Sequence, residues 1–192
     1  MNSKSVKHTN LKNKIHSGKV RDIYEIDEDK LLFVATDRIS AFDVIMEQTV
    51  PGKGIVLNNL SSFWFDFFNN YNTHYISKAQ DFDFSNTDYD EIIDLEILKR
   101  STVVKKAERI DMECVVRGYI TGSAWNEYKS SNSVNFKPIM DNLLEAEKFK
   151  TPIFTPSTKA EEGHDEALSE KAGKNLVGSE IYSKLEDLSI DL

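Results

Sequence analysis

Residues 113–125 read Glu-Cys-Val-Val-Arg-Gly-Tyr-Ile-Thr-Gly-Ser-Ala-Trp, an apolar strand that spends a central position on Arg117. The fold around this strand has to satisfy the guanidinium, because a buried arginine without a partner is costly. The strand runs out in Thr121-Gly122-Ser123, a small-residue turn opening a helix. A helix start presents backbone N–H groups that have no intrahelical acceptor. An arginine and a helix N-terminus in one short segment predict a pocket for a phosphate or a carboxylate.

Such an anion has to be held by local cations. The chain has 24 Lys and Arg against 32 Asp and Glu, a net charge of −8, which argues against a nucleic-acid partner. Its 192 residues, 40% hydrophobic and 29% charged, suffice for one core or for two small lobes sharing a cleft. Cys114 is the only cysteine, which excludes an internal disulfide and a cysteine-rich zinc site and fits a reducing compartment. The polar N-terminal run has no signal-peptide pattern and no apolar run reaches membrane length, so the expectation is a soluble cytoplasmic protein without a membrane partner.

Along the chain, residues 1–17 read as a polar arm or short entry element. Residues 18–26 alternate polar and apolar, and Leu31 to Thr36 returns after a turn at 27–30, which predicts a hairpin. The alternation places Lys19 and Arg21 on one face and Val20 on the other. Those two cations either cover a polyphosphate or form a solvated strand face. Neither a Walker A run nor Gly-x-Gly-x-x-Gly occurs. Residues 36–43, Thr-Asp-Arg-Ile-Ser-Ala-Phe-Asp, read as a loop, either an Asx-turn with a surface ion pair or a binding loop.

Beyond the Pro51–Gly54 turn, Leu57, Leu60, Phe63, Trp64, Phe67, Phe68 and Tyr71 recur at helical spacing. They predict a helix over 57–71 whose aromatic stripe is the core of the first lobe. A short strand over 74–78, an acidic loop over 81–94 and a strand over 103–110 follow. A short helix over 125–129 leads into a polar crossover with a helical piece over 143–149. Residues 152–166 read as an extended loop. Its Glu161, Glu162, His164, Asp165 and Glu166 either gather a hard cation or are solvated, at a spacing that matches no standard metal pattern. A last helix over 179–188 presents Ile181, Leu185 and Leu188 on one face. The four histidines show no spacing that nominates a catalyst, and nothing in the residues indicates an oligomeric state.

Four stretches, 18–24 (Gly-Lys-Val-Arg-Asp-Ile-Tyr), 36–43, 113–125 and 155–166 (Thr-Pro-Ser-Thr-Lys-Ala-Glu-Glu-Gly-His-Asp-Glu), together and in this order resemble the SAICAR synthetase family of purine biosynthesis. The resemblance implies an α+β fold of two lobes. Residues 1–112 would form a kinase-like, ATP-covering antiparallel sheet and 113–192 an incomplete ATP-grasp-like lobe, with ATP between them. It implies an ATP-dependent ligase joining carboxyaminoimidazole ribotide (CAIR) to L-aspartate through an acyl phosphate, with release of ADP and phosphate. Mg²⁺ is implied with the ATP. The motifs transfer Lys19, Val20, Arg21, Lys105, Arg109 and Glu113 to the nucleotide. They transfer Ser40, Arg117, Ser123, Ser157 and Lys159 to the substrates, and Asp43 to the reacting end as the catalytic group.

The family pattern continues beyond Leu192 with an Asp-Thr-Lys-Phe-Glu-Phe-Gly type strand and a later Pro-Asp-Ser-Ser-Arg segment. The metal ligands are therefore expected outside these residues. The resemblance thus predicts a fragment that is poorly active and aggregation-prone alone, the alternative being a non-catalytic nucleotide-binding remnant or regulatory module.

Overall fold

The computed structural model describes residues 5–42, 44–89, 93–139, 142–159 and 165–192. They divide into two compact units, Met1–Glu108 and Arg109–Leu192.

The first unit is organised by a five-stranded antiparallel sheet. Its strands are β1 (Lys14–Ser17), β2 (Arg21–Glu25), β3 (Lys30–Ala35), β6 (Tyr75–Lys78) and β7 (Ser101–Lys105), in the order β1-β2-β3-β7-β6. A separate hairpin pairs β4 (Arg38–Ala41) with β5 (Val44–Thr49). Helix α1 (Lys53–Phe67) follows it, and a single turn, α2 (Leu95–Leu98), precedes β7. Alternation along β2 and β3 sends Tyr24, Leu32 and Val34 to one face, where they pack with Phe84, Tyr89, Ile97 and Val103. The hairpin expected from residues 18–36 is β2–β3, with Arg21 opposite Ala35 and Phe33 opposite Thr102 of β7.

Helix α1 packs on β3, β7 and β6, but not through its aromatic stripe. Its buried residues are Gly54, Asn58 and Ser62, whereas Phe63, Trp64 and Phe67 are 54%, 47% and 63% exposed. The expectation of a core-facing stripe is therefore corrected. The helix lies so close to β3 that a Cβ at Gly54 would meet the Ala35 carbonyl oxygen at 2.1 Å. Only a ridge of small residues at i, i+4 and i+8 permits that approach. The displaced rings stack on one another instead, Trp64 against Phe68 with centroids 5.7 Å apart.

The N-terminal arm is an entry element tied to the sheet. The Val6 N–H donates to Asp37 Oδ2 at 2.8 Å, and both the N–H and hydroxyl of Thr9 donate to Asp22 Oδ2. Asp37 and Arg38 do not form a surface pair. Each is buried in a separate ion pair, Arg100–Asp37 and Arg38–Asp22, both at 2.9 Å. Burial raises both carboxylates' pKa values, but their hydrogen bonds outweigh it and hold them below the ordinary range.

In the second unit, three short antiparallel pairs surround two small cores. They pair β8 (Met112–Glu113) with β13 (Ser157–Thr158), β9 (Val116–Tyr119) with β12 (Lys148–Phe154), and β10 (Ser133–Val134) with β11 (Lys137–Pro138). Helix α3 (Gly122–Ser131) buries Ala124 and Tyr128 against Ile120, Val134 and Phe149. Helices α4 (Glu170–Val177) and α5 (Ser179–Asp191) close the chain, and Tyr182 packs with Met112, Phe154 and Leu168.

Several sequence expectations are corrected here. Residues 143–149 form no helix: Ala146 has φ 64°, and Phe149 belongs to β12. The strand expected over 103–110 ends at Lys105. Helix α5 buries Tyr182 rather than Ile181 and Leu188, which are both 45% exposed. Among the described residues, no helix is long and apolar enough to cross a membrane.

Candidate functional site

Arg117 and Ser123, the residues expected to form an anion pocket, line a cavity of about 380 Å³ in the second unit. Strand β9 brings Arg117 to its wall opposite Ile153 of β12, and the chain leaves β12 at Thr155. Arg117 Nε donates to Thr155 Oγ1 at 3.1 Å, and Nη2 donates to Ser123 Oγ at 3.3 Å. Ser123 is the second residue of α3, so the guanidinium sits at that helix's start. Glu113 and Ser157, opposite each other in the β8–β13 pair, line the same cavity. Lys159 pairs with Glu113 at 3.5 Å and with Asp165 at 3.9 Å.

A third wall carries residues that the motifs did not single out. Glu127 lies one turn beyond Ser123 on α3 and also lines the cavity. Its carboxylate accepts from the Ser133 hydroxyl at 2.8 Å, the Asn135 N–H at 2.9 Å and the Phe136 N–H at 3.0 Å. Those bonds hold Asn135 and Phe136 at φ 51° and 63°, a region that side chains with a Cβ rarely adopt. Burial raises the Glu127 pKa, but the three hydrogen bonds and the Arg117 charge outweigh it and keep it ionised. One guanidinium among the carboxylates of Glu113, Glu127 and Asp165 suits a ligand that presents an anion together with polar donors.

The first unit has its own pocket, of about 270 Å³, on the sheet face that α1 covers in part. Phe33, Ala35 and Thr102 form its floor, and Lys53, Leu57, Asn58 and Ser61 of α1 form one side. Val20 and Arg21 both line it, although strict alternation sets them on opposite faces. Residues 18–21 form a turn closed by Gly18 N–H donating to Arg21 O at 2.8 Å, and β2 begins only at Arg21. The Arg21 guanidinium lies 5.6 Å from the Phe33 ring centroid. Burial, with the Arg38 charge, lowers the Lys53 pKa; burial and the Arg21 charge do the same to His74. An apolar floor edged by cations is suited to a flat base bearing phosphates.

The other expected site residues fall elsewhere. Lys19 is exposed in the β1–β2 turn, Lys105 is exposed at the end of β7, and Ser40 is half-buried opposite Ile45. Arg109 pairs with Asp111 at 2.7 Å in the second unit, and Glu113 lines that unit's cavity rather than the Val20–Arg21 pocket. Asp43 and the stretch 160–164, with Glu161, Glu162 and His164, lie outside the described residues. Among the described residues, no group of three or more His, Cys, Asp or Glu side chains could hold a metal ion.

Comparison with known proteins finds a match to the SAICAR synthetase family model over residues 14–192. A phosphoribosylaminoimidazole-succinocarboxamide synthase of Komagataella pastoris is 47% identical over 184 residues, covering 93% of this chain and 60% of the relative. The solved SAICAR synthase of Saccharomyces cerevisiae complexed with SAICAR superposes with a TM-score of 0.84 at 42% identity, over 97% of this chain and 64% of that one. A type-2 SAICAR synthetase solved with ADP shares the fold, at 22% identity and a TM-score of 0.64 over 92% of this chain and 64% of that one. The chain thus spans about three-fifths of the length of the curated relatives it matches.

Proposed function

This chain belongs to the SAICAR synthetase family, and on that premise we propose that it contributes the nucleotide and ribotide sites of an ATP-dependent ligase. The reaction joins the carboxylate of CAIR to the amine of L-aspartate. A carboxylate is a poor electrophile until one oxygen becomes a leaving group, and phosphoryl transfer from ATP supplies that change. The aspartate nitrogen then attacks the acyl carbon, phosphate leaves, and the nitrogen loses a proton. Asp43, next to the β4–β5 turn in sequence, is our candidate for a group at the reacting end.

In this reading the first-unit pocket takes ATP. Phe33 and Ala35 meet the base, while Arg21 and Lys53, which line the pocket, face its phosphates. The second-unit cavity takes the ribotide's anionic group on Arg117 and Ser123, and Thr155 fixes the orientation of the guanidinium. Ser157 and Lys159 form the rim, with Glu113 and Asp165 drawing Lys159 to it. Among the described residues the carboxylates do not fit a Mg²⁺ site. A reducing cytoplasm suits the lone cysteine and the small-molecule substrates.

The observation that supports this reading most is the Arg117–Ser123–Thr155 cluster on the second-unit cavity, built from two of the four family motifs. A second reading is nucleotide binding without catalysis, which needs only the Val20–Arg21 pocket with its apolar floor and edging cations. ADP formation from ATP and CAIR, measured with and without L-aspartate, separates the two. Aspartate-dependent turnover supports the ligase. Nucleotide binding with no aspartate-dependent ADP supports the second reading.

A further inference from the structure

The turn between β1 and β2 has the carbonyl oxygens of four consecutive residues engaged by two side chains that the motif reading left without a role. Arg38 Nη2 donates to Gly18 O at 2.9 Å and to Arg21 O at 3.3 Å, and Arg38 Nε donates to Lys19 O at 3.0 Å. The remaining carbonyl, Val20 O, accepts from the Thr36 N–H at 3.0 Å and from Thr36 Oγ1 at 2.8 Å. The guanidinium is itself fixed, by Asp22 Oδ1 at 2.9 Å and Lys7 O at 2.7 Å, and is only 2% exposed. Asp22 is held in turn by Thr9 and by the Ser17 hydroxyl at 2.7 Å.

Peptide planarity turns this arrangement into a direction. In a trans peptide the N–H points opposite to the C=O, so the amides of Lys19 and Val20 are aimed away from Arg38. The carbonyl ends of residues 18 and 19 are gathered on a buried cation, and the N–H ends of those two peptides face the other way. An anion beside the turn then meets N–H groups rather than carbonyl oxygens. A lysine at 38 has one ammonium on a flexible stem and cannot serve carbonyls of residues 7, 18, 19 and 21 and a carboxylate together.

We propose that Arg38, seconded by Thr36, is a positioning residue that sets the β1–β2 turn to receive the phosphates of a nucleotide without touching them. This rests on reading the Val20–Arg21 pocket as the nucleotide site. The test titrates the 192-residue chain and its Arg38→Lys and Thr36→Val variants with ADP and with adenosine by calorimetry, with circular dichroism reporting the fold. A positioning role weakens ADP binding by about tenfold or more in Arg38→Lys and about threefold in Thr36→Val, while adenosine stays within about twofold. Equal losses for both ligands in a folded variant, or unchanged ADP affinity, overturn the role. Thr36→Val is nearly isosteric and decides the matter if Arg38→Lys does not fold. A wild-type chain that binds neither ligand overturns the nucleotide reading itself, and this role with it.

Discussion

Replacing Gly54 by alanine sets two effects against each other at the base of the first-unit pocket. Gly54 sits in the first turn of α1 in a backbone conformation open to any residue, so alanine gains about 1 kcal/mol of helix propensity. The added methyl, however, would lie 2.1 Å from the Ala35 carbonyl oxygen and 2.7 Å from Arg100 Nη1. Neither atom belongs to a flexible chain end: one is sheet backbone, and the other is fixed on Asp37. The start of α1 must retreat by about 1 Å, an overpacking cost of about 1–3 kcal/mol. Retreat also stretches the 2.9 Å bond from the Gly54 N–H to Asp37 Oδ1, adding about 1–2 kcal/mol. The steric side wins by about 1–4 kcal/mol, a fall in Tm of about 2–16 °C for a chain of this size. Thermal and urea unfolding followed by circular dichroism read this directly. A variant as stable as the parent, or more so, would refute the close helix–sheet contact as the reason for the small-residue ridge.

Two more expectations follow from the charged groups. Glu127→Gln removes the charge that holds Ser133, Asn135 and Phe136; it should cost about 1–2 kcal/mol, and hydrogen exchange should show faster amides at 135 and 136. Stability should change with pH in two windows. Asp22 and Asp37 have folded pKa values below the unfolded one, so their stabilisation is present above about pH 4 and lost as pH falls through the folded values. The depressed His74 pKa works at higher pH, where stability rises as pH climbs toward about 6.5 because the unfolded chain binds the extra proton. Urea midpoints between pH 3 and 8 check both, and a flat profile from pH 5 to 3 would contradict the account of the two buried pairs.

What the sequence disclosed and what it concealed divide along the range of the interactions. Alternation in 18–36 predicted the β2–β3 hairpin, and the strand-to-helix pattern of 113–125 set Arg117 beside Ser123, which line one cavity, because both signals are local in the sequence. The partners of Asp37 and Arg38 lie 63 and 16 positions away, and nothing local distinguishes a buried pair from a surface one. The orientation of α1 is set by close approach to β3 rather than by the hydrophobicity of its aromatic stripe. Gly54, Asn58 and Ser62 at i, i+4 and i+8 were the available signal. Glu127 was also within reach, since it shares a face with Ser123 four residues earlier on one helix. Thr155 stood at the head of the fourth motif, but its contact with Arg117 depends on the β9–β12 pairing, which no local pattern revealed.

The most direct test of the central claim is calorimetric titration of CAIR into this chain and its Arg117→Ala variant, with circular dichroism confirming that both are folded. Loss of charge-assisted hydrogen bonds to the ribotide predicts an affinity lower by about 10- to 100-fold in the variant. An unchanged affinity in a folded Arg117→Ala chain would contradict the assignment of the second-unit cavity as the ribotide site.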